Sequence, residues 1–230
     1  MKQPDNATPY KACEYNENVR RTLPFYDLFH SETIDLVKSL KPQAKSWLDT
    51  GCGTGCLVES ALQLFPETFF VLADPAEGML SEARKRLQKI SSERIRFIDP
   101  AGSNDLLGNL DLQPEVITAI MSHHYFKPEK RRDATAACFD LLATEGVYIT
   151  FENIRPCCAE MVELSLKRWG RFQISQGKSQ AAVAEHLKRF DNAYFPITVD
   201  EHLELLRKCG FRIVELFWYS HMQAGFYAIK

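Results

Sequence analysis

At 230 residues, 45% of them hydrophobic and 25% charged, the chain is long enough for one domain with a full core and too even in composition for a fibrous or disordered protein. A formal net charge of −2 excludes a global basic field of the kind that holds a polyanion. Seven cysteines, odd in number and scattered, do not make a disulfide framework in a protein of this size, so a reducing cytoplasm is the expected location. Residues 1–10 are polar and lack the apolar stretch of a signal peptide, and no apolar run reaches the length of a membrane span.

The predicted elements follow in chain order. Phe25, Leu28, Phe29, Ile34, Val37 and Leu40 fall near helical spacing over 23–40, and Pro42 ends that helix. Ser46-Trp47-Leu48 reads as a short buried strand. Residues 54–65 read as a helix stopped by Pro66, 68–73 as a second strand ending at Asp74-Pro75, and 77–90 as a helix with a basic outer face. A third strand spans 94–98 and ends at Asp99-Pro100; a fourth, apolar throughout, spans 116–121. Pro128 sits near the start of the next helix, where its missing N–H costs nothing, and Gly146 opens a fifth strand over 147–151. From 154 to 195 the pattern is helical, polar and strandless. Thr198-Val199-Asp200-Glu201 is a capping box opening a helix that stops at Gly210, and 211–218 with 225–229 close the chain as a hairpin.

Strands that alternate with helices and are nearly continuous in apolar residues mark a parallel sheet covered on both faces, an α/β doubly wound architecture. Such sheets bind ligands beyond the carboxyl ends of their strands. Asp49, Asp74, Asp99 and Ser122-His123-His124 all fall at such ends.

The stretch Leu48-Asp49-Thr50-Gly51-Cys52-Gly53-Thr54-Gly55 carries the most information. Glycine at every second position permits positive φ and close approach of backbone to a ligand, beside a helix start with free N–H groups. Its G-x-G-x-G spacing departs from the dinucleotide pattern G-x-G-x-x-G, and no Gly-Lys-Ser/Thr follows as a phosphate loop needs. Asp49, two residues before Gly51, would repel a pyrophosphate and attract an amine. S-adenosylmethionine, with its α-amino group and sulfonium, suits such a turn. Asp74 then stands where nucleotide folds accept hydrogen bonds from ribose hydroxyls. Asp99 can take an exocyclic amine such as adenine N6, and Met79 can lie on the purine ring. The alternatives are that Asp74-Pro75 and Asp99-Pro100 merely open turns and Met79 is core. His123 or His124 can take a proton from an acceptor, or both can shape the pocket wall. Cys52 and Cys56 suit a role as small fillers, and Cys157-Cys158 a vicinal thiol pair at the pocket mouth. No metal set is evident at useful spacing. Tyr15 to Tyr26 mixes aromatics with Arg20 and Arg21: aromatic faces for a sulfonium, an arginine for a ligand carboxylate, or else a surface helix packed on the sheet.

These motifs resemble those of the class I S-adenosylmethionine-dependent methyltransferases. Residues 48–55 match their glycine motif, Leu72-Ala73-Asp74-Pro75 with Met79-Leu80 their ribose-binding acid, and Arg96-Phe97-Ile98-Asp99 their adenine-contacting strand end. The resemblance covers 15–152 plus the closing hairpin. It implies a Rossmann-like sheet of seven strands, mostly parallel with an antiparallel last strand, and methyl transfer governed by positioning and desolvation. It also implies one domain over 1–230, with an N-terminal helical lid over 10–42 and a helical cap insertion over 154–196. The implied cofactor contacts are Tyr15, Arg20, Tyr26, Asp49, Gly51, Cys52, Gly53, Asp74, Pro75, Met79, Asp99, Pro100 and Ser122, with His123 and His124 as candidate catalytic groups.

Arg21-Thr22-Leu23-Pro24-Phe25-Tyr26 and the tail from Leu206 look like the carboxy-S-adenosylmethionine synthase branch, which makes a carboxylated cofactor for tRNA modification. That branch holds the extra carboxylate with an arginine shortly before the capping-box helix, where this chain reads Ala193-Tyr194-Phe195-Pro196-Ile197. The expectation is therefore plain methyl transfer to a small-molecule acceptor, with no membrane partner and a homodimer left open. A tRNA-modification enzyme, whether tRNA methyltransferase or carboxy-cofactor synthase, is the alternative. Basic clusters at Arg84-Lys85-Arg86, Lys130-Arg131-Arg132 and Lys167-Arg168 are interrupted by acids and read as solvated helix faces, which argues against nucleic acid.

Overall fold

A computed structural model describes residues 7–230. Seven strands form one sheet in the order β3-β2-β1-β4-β5-β7-β6. The strands β1 (Ser46–Thr50), β2 (Phe69–Ala73), β3 (Ile95–Phe97), β4 (Val116–Ile120) and β5 (Val147–Asn153) run parallel. The last strand, β7 (Gln223–Ile229), is antiparallel both to β5 and to β6 (Ile213–Ser220). This is the doubly wound, mostly parallel sheet with an antiparallel last strand that the sequence implies.

Alternation along each strand splits the core between two faces. Trp47, Phe70 and Leu72 face one layer with Leu57 and Val58 of α3 (Cys56–Ala61), Leu80 of α4 (Glu77–Arg86), and Ile34 and Val37 of α2 (Tyr26–Leu40). Leu48, Val71, Ile117 and Tyr148 face the other, against Cys138 and Leu141 of α5 (Pro128–Leu141) and Leu206 of α8 (Val199–Lys208). A third apolar cluster sits above the carboxyl edge. It joins Val19 of α1 (Tyr15–Arg20) and Phe29 to Met121, Phe151, and Trp169 of α6 (Ala159–Ser175). A shorter helix, α7 (Gln180–Leu187), follows α6. Gly170 lets the two approach, because a Cβ there would lie 3.3 Å from Leu187 and 3.4 Å from Val183.

Local signals explain most boundaries. The Thr198 hydroxyl accepts the Glu201 N–H at 3.2 Å while the Glu201 carboxylate accepts the Thr198 N–H at 2.7 Å, completing the capping box of α8. Pro128 opens α5. The helix expected over 54–65 is regular only from Cys56 to Ala61, because the N–H groups of Leu64 and Phe65 both turn back to the Ala61 carbonyl ahead of Pro66. The third strand is shorter than expected and lies at the sheet edge. Among the described residues no helix is long and apolar enough to cross a membrane.

Candidate functional site

The first turn takes its shape from three left-handed glycines. Gly51, Gly53 and Gly55 have φ of +74°, +54° and +77°, conformations that other residues enter at a cost. The N–H groups of Gly51 and Cys52 both donate to the Ala73 carbonyl, at 2.7 and 3.0 Å, which ties the turn to the end of β2. Gly51 also has no room: a Cβ there would lie 2.6 Å from the Ser122 Cβ. Gly51→Ala is therefore expected to cost about 3 kcal/mol through strain and displacement. In a protein of this size that lowers Tm by about 6–12 °C, which a thermal scan reads.

Two buried carboxylates flank the turn. Asp74 accepts the Gly53 N–H at 2.9 Å on one oxygen and the Ala76 N–H at 2.8 Å on the other. Burial raises its pKa, and those two backbone hydrogen bonds pull it back. Asp49 is 2% exposed and accepts the Thr118 hydroxyl at 2.7 Å. Burial pushes its carboxyl up to about 7, opposed by the Thr118 bond and reinforced by the nearby Asp74 charge. A buried acid in that state is poised to pair with a cation.

Between the ends of β1, β2 and β4 lies an open cleft. Of the residues expected to bind a cofactor, Tyr15, Gly51, Gly53, Asp74, Pro75, Met79 and Ser122 line it, and so does His123. Asp49, Cys52 and Tyr26 line an adjoining recess that shares Tyr15, Gly51 and Gly53 with the cleft. Burial, together with the neighbouring Tyr26 hydroxyl, raises the Tyr15 phenol well above its ordinary pKa, so both rings present neutral faces there. Arg20 stands outside, in an open groove, paired with Asp27 at 2.9 Å. Asp99 and Pro100 are exposed and line neither space.

Residues that sequence reasoning missed take the place of Asp99-Pro100. The chain after β3 folds back, with Ala101 N–H donating to the Asp74 carbonyl at 3.2 Å, and brings Gly102 and Ser103 to the cleft wall. Buried Ser103 hydrogen-bonds Thr50 and the Nε2 of His123, each at 2.8 Å. The other His123 ring nitrogen lies 3.3 Å from the Tyr148 hydroxyl. Burial lowers the His123 pKa to about 4, with Glu152 opposing and Arg131 and His124 adding to the fall. His123 is thus a neutral ring whose two nitrogens are occupied. His124 is 1% exposed and turns from the cleft to hydrogen-bond Glu152 at 2.6 Å. The Ser122 hydroxyl is buried at the cleft and has no hydrogen-bond partner among the described residues.

A second recess joins the cleft through Tyr15, Met121 and Tyr125. Its far wall comes from 154–196, with His186, Arg189 and Tyr194. Burial, then the charges of Lys178 and Arg189, push His186 down to about 3. The Tyr194 hydroxyl is buried without a hydrogen-bond partner among the described residues. No arginine lies within 193–197, but Arg189, from just past α7, supplies a guanidinium to this wall and donates to the Ala7 carbonyl at 2.8 Å. Arg189 precedes the capping-box helix by a loop that doubles back, with the Ala193 N–H donating to the Arg189 carbonyl at 2.8 Å.

Comparison with known proteins agrees with this geometry. Residues 48–148 match a family described as a methyltransferase domain. The chain is 24% identical over 220 residues to the carboxy-S-adenosyl-L-methionine synthase of Nitratiruptor sp., covering 95% of this chain and 90% of that one. It is 27% identical over 212 residues to the enzyme of the same name from Campylobacter hominis, covering 89% and 86%. Among solved structures, a Nostoc punctiforme protein described as an O-methyltransferase overlays with a TM-score of 0.67 at 16% identity, over 95% of this chain and 60% of that one. This chain therefore spans about 60% of that protein's length. The Burkholderia thailandensis 1,6-didemethyltoxoflavin-N1-methyltransferase, solved with 1,6-didemethyltoxoflavin and S-adenosylhomocysteine, overlays with a TM-score of 0.63 at 14% identity, over 95% and 84%.

Proposed function

We propose that the chain, whose residues 48–148 match a methyltransferase domain family, binds S-adenosylmethionine in the cleft and moves its methyl group to a small molecule held in the second recess. The observation that carries this is the pairing of two buried carboxylates, Asp49 and Asp74, on either side of a glycine turn whose wall holds a hydroxyl, Ser122, without a partner among the described residues. The residues fit the nucleoside by their chemistry. Asp49 matches a cationic amine, and Asp74 keeps lone pairs free for ribose hydroxyls after taking two N–H groups. Buried Met79 offers a thioether to a purine face. When bound, the cofactor supplies an electrophilic methyl group on sulfur.

What the chain itself does is hold and enclose. Tyr15, Met121 and Tyr125, shared by cleft and recess, form the passage between them. Neutral aromatic and thioether surfaces there exclude water from a sulfonium without quenching its charge. His123 already gives both ring nitrogens to Ser103 and Tyr148, so the reading assigns it to the wall and derives catalysis from positioning. The helices of 154–196 serve as the cap over the acceptor. Calorimetry with S-adenosylmethionine and S-adenosylhomocysteine tests the cofactor, and transfer of labelled methyl from S-adenosylmethionine into fractionated metabolites tests the reaction. Failure of both nucleosides to bind would overturn the reading.

A second reading, synthesis of a carboxylated cofactor, is favoured by Arg189 in the recess and by the names of the relatives. A guanidinium grips a carboxylate with two parallel hydrogen bonds. Mass spectrometry of the nucleoside that co-purifies separates the two: unmodified S-adenosylmethionine or its demethylated product supports methyl transfer, a carboxylated nucleoside the synthase. On the synthase reading, Arg189→Ala is expected to weaken carboxy-S-adenosylmethionine about tenfold or more, the loss of one charge-assisted pair. Affinity for S-adenosylhomocysteine should stay within about twofold, both by calorimetry.

A further inference from the structure

The least exposed carboxylate among the described residues belongs to none of the three spaces described above. Glu152, near the end of β5, is fully buried, and it lines neither the cleft nor the two recesses. Burying a carboxylate is costly unless its oxygens are filled and something is gained by keeping it. Four donors fill these oxygens. The Thr150 hydroxyl, whose single proton is shared with the Ala119 carbonyl at 2.7 Å, lies at 2.8 Å; the backbone N–H groups of His123 and His124 donate at 3.1 and 2.8 Å, and the His124 ring lies at 2.6 Å. Three of the four come from two consecutive residues of one turn.

The same turn is held from its other side. Arg131 of α5, 2% exposed, donates its Nε to the His123 carbonyl at 3.2 Å and its Nη2 to the carbonyls of Phe126, at 3.0 Å, and Phe195. The Phe195 N–H in turn donates to the His124 carbonyl at 2.7 Å. A carboxylate therefore takes two of the turn's N–H groups, and a guanidinium takes two of its carbonyls, those of His123 and Phe126. The turn needs such holding, because Met121 at its start has φ +55°, a strained value for that residue. Its residues matter to both ligand spaces: Ser122 and His123 line the cleft, and Met121 and Tyr125 line cleft and acceptor recess alike. Burial alone would lift the Glu152 carboxyl. The hydrogen bond from the His124 ring instead lowers it, to about 2.

We propose that Glu152 and Arg131 are positioning residues that grip the 121–126 turn by opposite backbone groups and so set the wall where cleft and acceptor recess meet. The proposal rests on the reading of the cleft as a nucleoside site. Its test combines S-adenosylhomocysteine affinity with hydrogen exchange at the His123 and His124 amides, which needs no ligand. Glu152→Gln puts an NH2 where acceptors are needed. It should speed exchange at those two amides about a hundredfold beyond any change in global unfolding and weaken S-adenosylhomocysteine about tenfold. Thr150→Val removes the one donor that lies outside the turn, and should leave both quantities within about twofold even if it lowers Tm as much. Arg131→Lys keeps the charge but loses the fork, and should weaken the nucleoside about threefold; it carries the test should Glu152→Gln not fold. Wild-type exchange and affinity in Glu152→Gln would overturn the proposal, as would Thr150→Val matching it in both. Were the wild-type chain to bind no S-adenosylhomocysteine while the Glu152→Gln amides still opened, the nucleoside reading would fail and the grip on the turn would stand.

Discussion

Asp74→Ala is expected to weaken S-adenosylhomocysteine at least about a hundredfold, a loss of roughly 3 kcal/mol or more, because the change removes a ligand contact and a structural tie together. In the protein, Asp74 already binds the N–H groups of Gly53 and Ala76. The first of these fixes the middle glycine of the turn, and the second starts α4 under Pro75. Alanine leaves both N–H groups without that partner at a site where Asp74 is only 7% exposed, each at a cost of about 1–3 kcal/mol. It also removes the acceptors for ribose hydroxyls. Asp74→Asn separates the two effects. Its single carbonyl oxygen can keep one N–H and lose the other, so a drop of about tenfold is expected, intermediate between wild type and alanine. Calorimetry measures both. Undiminished affinity in Asp74→Ala would remove the ribose assignment, and with it the orientation of the whole ligand.

What the sequence made legible were features with a local cause. Continuous apolar runs marked the inner strands, since a strand buried on both faces has no room for alternation. The glycine turn was legible because only one residue type tolerates those φ values, and the α8 start because its capping box closes within four residues. Contacts set by distant chain were not legible. Asp74-Pro75 and Asp99-Pro100 look alike as strings, yet β2 is an inner strand and β3 a three-residue edge strand. The chain leaves the sheet early after β3, exposes Asp99 and returns with Ser103. Tyr15 and Arg20 share one short helix, but five residues at 3.6 per turn put them about 140° apart, so Tyr15 faces the cleft while Arg20 turns to Asp27. Glu152 and Arg131 carry no pattern at all in the sequence. The turn groups that the carboxylate holds lie 28–29 residues away, and the guanidinium reaches a carbonyl 64 residues away, so only the folded sheet joins them.

Asp49→Asn is expected to abolish a pH dependence that the wild-type chain shows in nucleoside binding. In the ligand-free protein burial lifts the Asp49 carboxyl to about 7, far above the roughly 3.9 of an unfolded chain. An acid with a raised folded pKa binds a proton more tightly when folded, so its contribution to stability is complete below about pH 4 and is lost as pH rises through about 7. At pH 8 the carboxylate sits ionised at 2% exposure with one hydroxyl donor, Thr118. Asparagine keeps an oxygen for that hydroxyl and removes the buried charge, so Tm of the ligand-free protein at pH 8 should rise by about 4–8 °C, on the order of 2 kcal/mol. Binding should move the other way. A cationic amine needs the ionised form, so wild-type affinity for S-adenosylhomocysteine should fall about tenfold from pH 8 to pH 5.5, where binding must expel a proton. Asp49→Asn should bind at least about tenfold more weakly at pH 8 and show little slope. Titrations in buffers of different ionisation heat count the released proton directly. A flat wild-type profile, or a slope that survives in Asp49→Asn, would take Asp49 away from the amine; a stabilised, weakly binding, pH-indifferent variant would show that this aspartate gives up folding stability in order to hold a cation.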